Sequence, residues 1–502
     1  MYIGKNYVAG SWLEPCDSNK AEAINPSTEE VYGIFPVSDV HEVDFAVIAA
    51  KQASHSWRSM SRVKRAEFFD KLAEIIKRDH ECLKHAISVE TGKNLNESHA
   101  EVIEALHMCQ VAAASGRQPY GEVIASELDT KDAYVIRKPR GVVAVISPWN
   151  FPLAIGSFWS SAPALVEGNT VVHKPSELTP MVNQMVALMY HEAGFPAGVY
   201  NLIHGDGGTG EALAQHPDVD VILFTGSSEV GQLIRAHCST TFHKTCGIEC
   251  GSKSATIVFE DGNMDLAVSA AVASSFKLSG QRCVSSGRIL VQRSIFDDFV
   301  KRYLDHIQNE VYVGDPFETE GGSGLTYGPM ISREQMERVE TVNDMVRNDP
   351  DVQILYDPDG DEGTLNGAYG WKGYFLRPFV YKSEWGDKPF LKNEVFGPHV
   401  ALIPFNDLDD AIRIYNDTDY GLALGVITDD FRKHRRIAHE CTTGMLYING
   451  GSIAAESHLP FSSWKKSGYG GNAAAPWKAV THTMAVTVNY EEGRMQFAQG
   501  MK

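Results

Sequence analysis

GVVAVIS (Gly141–Ser147), NTVVHKP (Asn169–Pro175), VYNLIHG (Val199–Gly205) and VDVILFTG (Val219–Gly226) are short, nearly unbroken apolar runs, and they decide the fold. Helical stretches separate them: APALVEG, PMVNQMVALMYHEAG, GTGEALAQH and, after the last, SSEVGQLIRAHC. Strands apolar on both faces and alternating with helices predict a parallel sheet covered on both sides. After Lys253 a second series begins: SATIVFE, a helix over 264–279, RILVQ, a helix near 295–310, and further elements to about 450. The fold class is therefore α/β, with two doubly wound parallel-sheet domains.

Residues 60–88 carry apolar positions at helical spacing and read as one amphipathic helix. DAYVIRKPR (132–140) and MAVTVNY (484–490) alternate cleanly but belong to no strand–helix–strand unit. They are expected to pair with each other or with another subunit. The Gly-, Asp- and Pro-rich stretches 313–330 and 356–375 read as surface connections.

Composition removes several function classes. The chain has 502 residues, 43% hydrophobic and 22% charged, as soluble globular proteins do. A net charge of −19 argues against nucleic acid or an anionic membrane as partner. Eight cysteines scattered over this length form no disulfide framework. The opening MYIGKNYVAGSW has no basic and apolar leader pattern, so the reducing cytoplasm is the expected location. Gly141–Val166 is uncharged and long enough to span a bilayer, but Pro148, Asn150, Pro152 and Pro163 interrupt it. A buried strand, a loop and a small-residue helix account for it better.

Several motifs carry chemistry. GDGGTG (Gly205–Gly210) fits the dinucleotide fingerprint, a weak signal alone, and a plain glycine turn fits equally well. FTGSSEVG (Phe224–Gly231) is a second strand, glycine turn and helix start, where Ser227 and free N–H groups suit a phosphate. In HKPSE, Glu177 can accept hydrogen bonds from a ribose diol, with Lys174 beside it at a strand's carboxyl end. HKTCGIECGSK gathers His243, Cys246 and Cys250 but lacks a second Cys/His pair, so no metal site is assigned. Glu249 in the same stretch stands at a domain junction, as a base or a structural ion. Finally, GQRCVSSGR (Gly280–Arg288) sets Cys283 among small and polar residues after Arg282. A free thiol with pKa near ~8.5 is a poor nucleophile at neutral pH, so any role there requires activation.

PWNFP (Pro148–Pro152), KPSE, FTGSSEVG, Glu249, Cys283, KNEVFGP (Lys392–Pro398) and PFSSWKKSG (Pro460–Gly468), in this order, resemble the aldehyde dehydrogenase superfamily over essentially the whole chain. The resemblance implies NAD(P)-dependent oxidation of an aldehyde to a carboxylic acid. It makes Cys283 the nucleophile, Glu249 the general base, and the Asn150 amide with the Cys283 N–H the oxyanion hole, with Lys174 in the catalytic set. Ser147, Pro148, Trp149, Lys174, Ser176, Glu177, Gly207, Gly226, Ser227, Glu394 and Phe396 match cofactor positions. Glu177 favours NAD, while Ser176 leaves NADP open. Arg282, Phe151 and Phe461 are candidate substrate contacts, and Arg282 could hold the carboxylate of a semialdehyde; a structural arginine is an equal alternative.

The resemblance also divides the chain. Residues 1–118 and 141–252 would bind the cofactor, 253–450 would carry the nucleophile, 119–140 and 478–494 would form a bridging sheet, and 451–477 would line the substrate loop. A homodimer or homotetramer is implied. Cys250, Gly251 and Ser252 stand where the family usually has Leu-Gly-Gly, and Ser462 and Ser463 replace common glycines. Cys250 is thus a candidate second thiol. The competing classes are a coenzyme A-acylating dehydrogenase, a cysteine hydrolase without redox cofactor, and a non-catalytic binding or structural protein on the same fold.

Overall fold

A computed structural model describes residues 1–14, 19–318, 325–365, 370–453, 455–470 and 477–493. Cys16, the end of the tail (494–502) and parts of 313–330, 356–375 and 451–477 lie outside the described residues.

The apolar runs form the centre of an eight-stranded sheet. Thr245–Glu249, Val221–Thr225, Val142–Ile146, Thr170–Lys174 and Tyr200–Leu202 lie side by side in parallel. Their register aligns the carboxyl ends: Ile146 sits opposite Lys174 and Phe224, and Thr225 opposite Glu249. Ligands of open α/β sheets bind beyond this edge. The sheet grows further than the sequence suggests, because Asn6–Val8, Ser11–Leu13 and Gly468–Tyr469 add antiparallel edges.

The second sheet has seven strands. Phe379–Lys382, His399–Phe405, Arg288–Gln292, Ala255–Val258, Ala423–Ile427 and Met445–Ile448 are parallel, and Gln353–Tyr356 is antiparallel at one edge. Their central residues, such as Ile257, Leu290 and Val426, are fully buried, as two-sided burial requires. A separate three-stranded antiparallel sheet pairs Lys131–Pro139 with Gly121–Ile124 and Thr481–Asn489.

Local readings needed correction in three places. Residues 60–88 form two helices, Arg62–Arg78 and His80–Thr91, because Asp79 leaves helical geometry at φ −93° and ψ 9°. Its side chain pairs with Arg78 and does not cap the second helix. The helix expected over 264–279 ends at Phe276, where the chain enters a left-handed turn. The 313–330 stretch is not purely surface, since Tyr327 and Met330 are fully buried.

The helix Leu95–Ser115 is tied to both lobes through buried charge. Lys93 and Glu101 form an ion pair with side chains 0% exposed. Glu101 also accepts hydrogen bonds from the Leu153 and Ala154 N–H groups at 2.8 and 3.1 Å. Removing one partner strands a buried charge, which typically costs ~3–5 kcal/mol. Glu101→Gln is therefore expected to lower the thermal unfolding midpoint clearly, and Lys93→Met combined with Glu101→Gln to recover part of the loss. A single variant as stable as the parent by differential scanning calorimetry would refute this.

Candidate active site

Beyond the carboxyl edge of the first sheet lies a cavity of about 560 Å³. Pro148, Trp149 and Asn150 line one wall, and Gly226, Ser227 and Ser228 line another. Cys283, Glu394 and Phe396 face them from the second lobe. Groups far apart in sequence thus converge because both sheets end at the same crevice.

The nucleophile candidate lies just past a tight turn. Leu278, Ser279 and Gly280 adopt φ of +55°, +53° and +72°. Gly280 is required there, since a Cβ would lie 2.2 Å from the Gly397 carbonyl oxygen. The Asn150 amide donates to the Gln281 carbonyl at 3.1 Å and so joins its own loop to that of Cys283. That amide carries two N–H donors, so one remains for a ligand. Cys283 is partly exposed and packs against the cluster of Leu422, Ala423 and Met445, as Val284, Tyr447 and Phe461 also do. Burial, then the carboxylates of Glu394 and Glu249, push its thiol well above the ordinary range.

Glu249 closes its strand and is buried. Glu394 is half-buried, accepts the Ser252 N–H at 2.8 Å, and is pushed up to about 7 by desolvation. A Cβ at position 251 would sit 1.9 Å from the Glu394 carboxylate, so a larger residue there would displace that side chain. Phe396, at φ +60°, meets the Trp149 ring edge-on at 5.5 Å. Gln335 holds that backbone by donating to the Phe396 carbonyl at 3.0 Å.

The other expected residues sort by position. Ser227 caps the helix Ser228–Cys238, accepting from the Val230 N–H, and the first turn opens into the cavity. At GDGGTG, by contrast, the Asp206 side chain already accepts from the Gly208 and Thr209 N–H groups. Gly207 is exposed there and does not line the cavity. Lys174, Ser176, Glu177 and Ser147 do not line it either. The Lys174 ammonium, buried, donates to the Asp206 carbonyl at 3.1 Å and lies 3.4 Å from Glu177. Ser147 meets His173 at 2.7 Å, and the Ser176 hydroxyl accepts the Leu178 N–H.

On the substrate side, Phe461 packs edge-on against Trp159 at 5.5 Å. Trp159 belongs to a wide π-turn, Ile155–Ser160, a distortion often found at functional sites. Arg282 is engaged within the protein, the structural alternative the sequence also left open. Its guanidinium pairs with Glu97 at 3.5 Å and lies 5.2 Å from the Phe151 ring centroid, and it does not line the cavity. The His243, Cys246 and Cys250 trio diverges. His243 meets the Pro217 carbonyl, Cys246 lies against Cys238, and the Cys250 thiol donates to the Ser227 carbonyl at 3.5 Å. Cys250 nevertheless lines the cavity, its thiol pushed up to about 12 by burial and Glu249.

Sequence reasoning passed over Gln335, Arg338, Tyr420 and Lys466, which also line the cavity. The first two stand on a polar helix, Arg333–Arg347, whose pattern resembles any solvated face.

The aldehyde dehydrogenase family model matches residues 12–488. Aldehyde dehydrogenase 1A1 of Mesocricetus auratus is 35% identical over 474 residues, covering 93% of this chain and 91% of the relative. The α-ketoglutaric semialdehyde dehydrogenase of Bacillus subtilis is 31% identical over 466 residues, covering 92% and 93%. Among solved structures, betaine aldehyde dehydrogenase from Staphylococcus aureus in complex with NAD+ superposes with a TM-score of 0.90 at 29% identity, covering 99% of this chain and 97% of that one. With the two-lobed fold and the crevice described above, these matches show that the chain belongs to the aldehyde dehydrogenase family.

Proposed function

We propose that the protein oxidises an aldehyde to a carboxylic acid with NAD, through a covalent bond to Cys283. The observation that carries this reading is a single cavity lined by Cys283, Asn150, Glu394 and the start of the Ser228–Cys238 helix. The cavity fits a dinucleotide. The helix start offers N–H groups to a pyrophosphate, Glu394 offers a carboxylate to a ribose diol, and the Trp149–Phe396 pair walls a flat ring. Glu177, with its side chain 46% exposed beside Lys174, accepts from a second ribose and repels a 2′-phosphate. Bound NAD supplies the hydride acceptor.

The chain's own groups do the rest. The Cys283 thiol gives its proton to water as the sulfur attacks the carbonyl carbon, and the oxygen that gains charge is held by the remaining Asn150 N–H and the Cys283 backbone N–H. After oxidation the acyl group remains on sulfur as a thioester. Glu249 takes a proton from water as that water attacks the thioester and returns it to the departing sulfur, releasing the acid and the thiol. The exposed edge strands Gly121–Ile124 and Thr481–Asn489 support assembly as a homodimer or homotetramer through the three-stranded sheet.

The test is NADH absorbance with NAD and NADP in parallel, across plain, carboxylate-bearing and ammonium-bearing aldehydes. NADH formation with a clear preference for NAD is the expected result. Cofactor binding without reduction by any aldehyde would overturn the reading.

A further inference from the structure

Glu97 and Glu101 stand one turn apart on the Leu95–Ser115 helix and therefore share a face. The Asn94 side chain caps this helix by accepting the Glu97 N–H at 2.8 Å, which places Glu97 third in the first turn. A glutamate there commonly reaches back to the N–H of the cap. This one reaches instead to the turn that precedes Cys283. Its Oε1 accepts the Leu278 N–H at 2.7 Å and lies 3.5 Å from the Arg282 guanidinium.

Leu278 opens the left-handed turn, at φ +55°, followed by Ser279 at +53°. Such backbone is strained for any residue bearing a Cβ and persists only where its surroundings hold it. Ser279 is held by donating its hydroxyl to the Gly328 carbonyl at 2.7 Å. Gln281 is held by accepting the Ile331 N–H at 3.0 Å. Leu278 is held by Glu97. On the same helix face, Glu101 holds the N–H groups of Leu153 and Ala154, just after Asn150. One helix end therefore grips the loop of the nucleophile and the loop of the oxyanion donor, and the Asn150–Gln281 bond joins the two.

We propose that Glu97 is a positioning residue for Cys283, fixing the Leu278–Gly280 turn and neutralising Arg282 beside the nucleophile. The inference rests on the reading of Cys283 given above. Its test compares full-length Glu97→Ala and Glu97→Gln enzyme with the parent. The readouts are NADH formation and the pH profile of Cys283 alkylation by iodoacetamide.

Glu97→Ala removes the acceptor and is expected to lower kcat about 10- to 100-fold with KM for NAD within about two-fold, since small misplacements of reacting groups cost that much. Glu97→Gln keeps an oxygen for the Leu278 N–H and should recover at least about five-fold of that loss. Its alkylation profile should move to lower pH, because Arg282 loses the carboxylate it pairs with and favours the thiolate, while Lys93, Glu101 and Glu104 near Arg282 and Glu249 and Glu394 near the sulfur stay unchanged. A Glu97→Ala enzyme within about three-fold of the parent kcat, or a Glu97→Gln enzyme as slow as Glu97→Ala, overturns the proposal. If the alanine variant does not fold, the glutamine variant decides, and an unmoved alkylation profile refutes the role. Activity surviving in Cys283→Ala would instead show that the nucleophile had been misassigned, leaving alkylation at Cys283 as the readout for Glu97.

Discussion

Cys283→Ala is expected to reduce aldehyde-dependent NADH formation by roughly 10⁴-fold or more, the scale seen when a covalent nucleophile is deleted. NAD binding, followed by quenching of protein fluorescence, should survive. The cofactor-side groups Gly226, Ser227 and Glu394 reach the cavity without help from the sulfur. Folding should survive too, because the side chain is small, partly exposed and only at the rim of an apolar cluster around Leu422 and Ala423. Cys283→Ser should be nearly as poor, since an alcohol is far harder to ionise than a thiol and this site already disfavours negative charge. Burial, and after it the carboxylates of Glu394 and Glu249, raise the Cys283 thiol. A variant retaining more than about 1% of parental kcat would indicate a reaction without the covalent thiohemiacetal.

Those raised groups mark how far the site was legible in the sequence. The parallel sheets were readable because two-sided burial writes apolar runs such as VVAVI and VILFT, and their order along the chain fixes where the carboxyl ends meet. At the site, Ser227 and Cys283 stood out in short loops between elements, whereas Asn150 and Glu394 entered only through the family resemblance; all four line the cavity. Two kinds of feature were not readable. Long-range pairing was one: nothing local at Arg282 or Glu97 announces that they meet, so Arg282 reads equally as a substrate contact or a structural residue. Capping was the other. GDGGTG fits the phosphate fingerprint, but Asp206 occupies two of its N–H groups, a use of the loop that depends on a rotamer and not on spacing. Arg338 and Gln335 carry no pattern at all, because a helix face that lines a cavity is as polar as one that faces solvent.

The base assignment separates two halves of the reaction, and Glu249→Gln isolates the second. Glu249 is buried at the end of its strand, its charge close enough to raise both the Cys283 and Cys250 thiols. Amide replacement preserves size and most packing but cannot take a proton from water. Attack by Cys283 and loss of hydride should still occur once, giving a rapid burst of about one NADH per subunit, after which the thioester accumulates. Steady-state turnover should fall about 10²- to 10⁴-fold, the range typical of a missing general base. Mass spectrometry of the quenched enzyme should find the acyl group on Cys283. Added coenzyme A tests the acylating alternative in the same sample. If hydrolysis is the native exit, coenzyme A should not restore parental turnover in the variant. If it does, and acyl-coenzyme A forms in the parent as well, Glu249 serves a structural role and the thioester leaves by transfer. A burst absent from Glu249→Gln would mean that the carboxylate is needed before the thioester forms, which would reassign it to deprotonating Cys283.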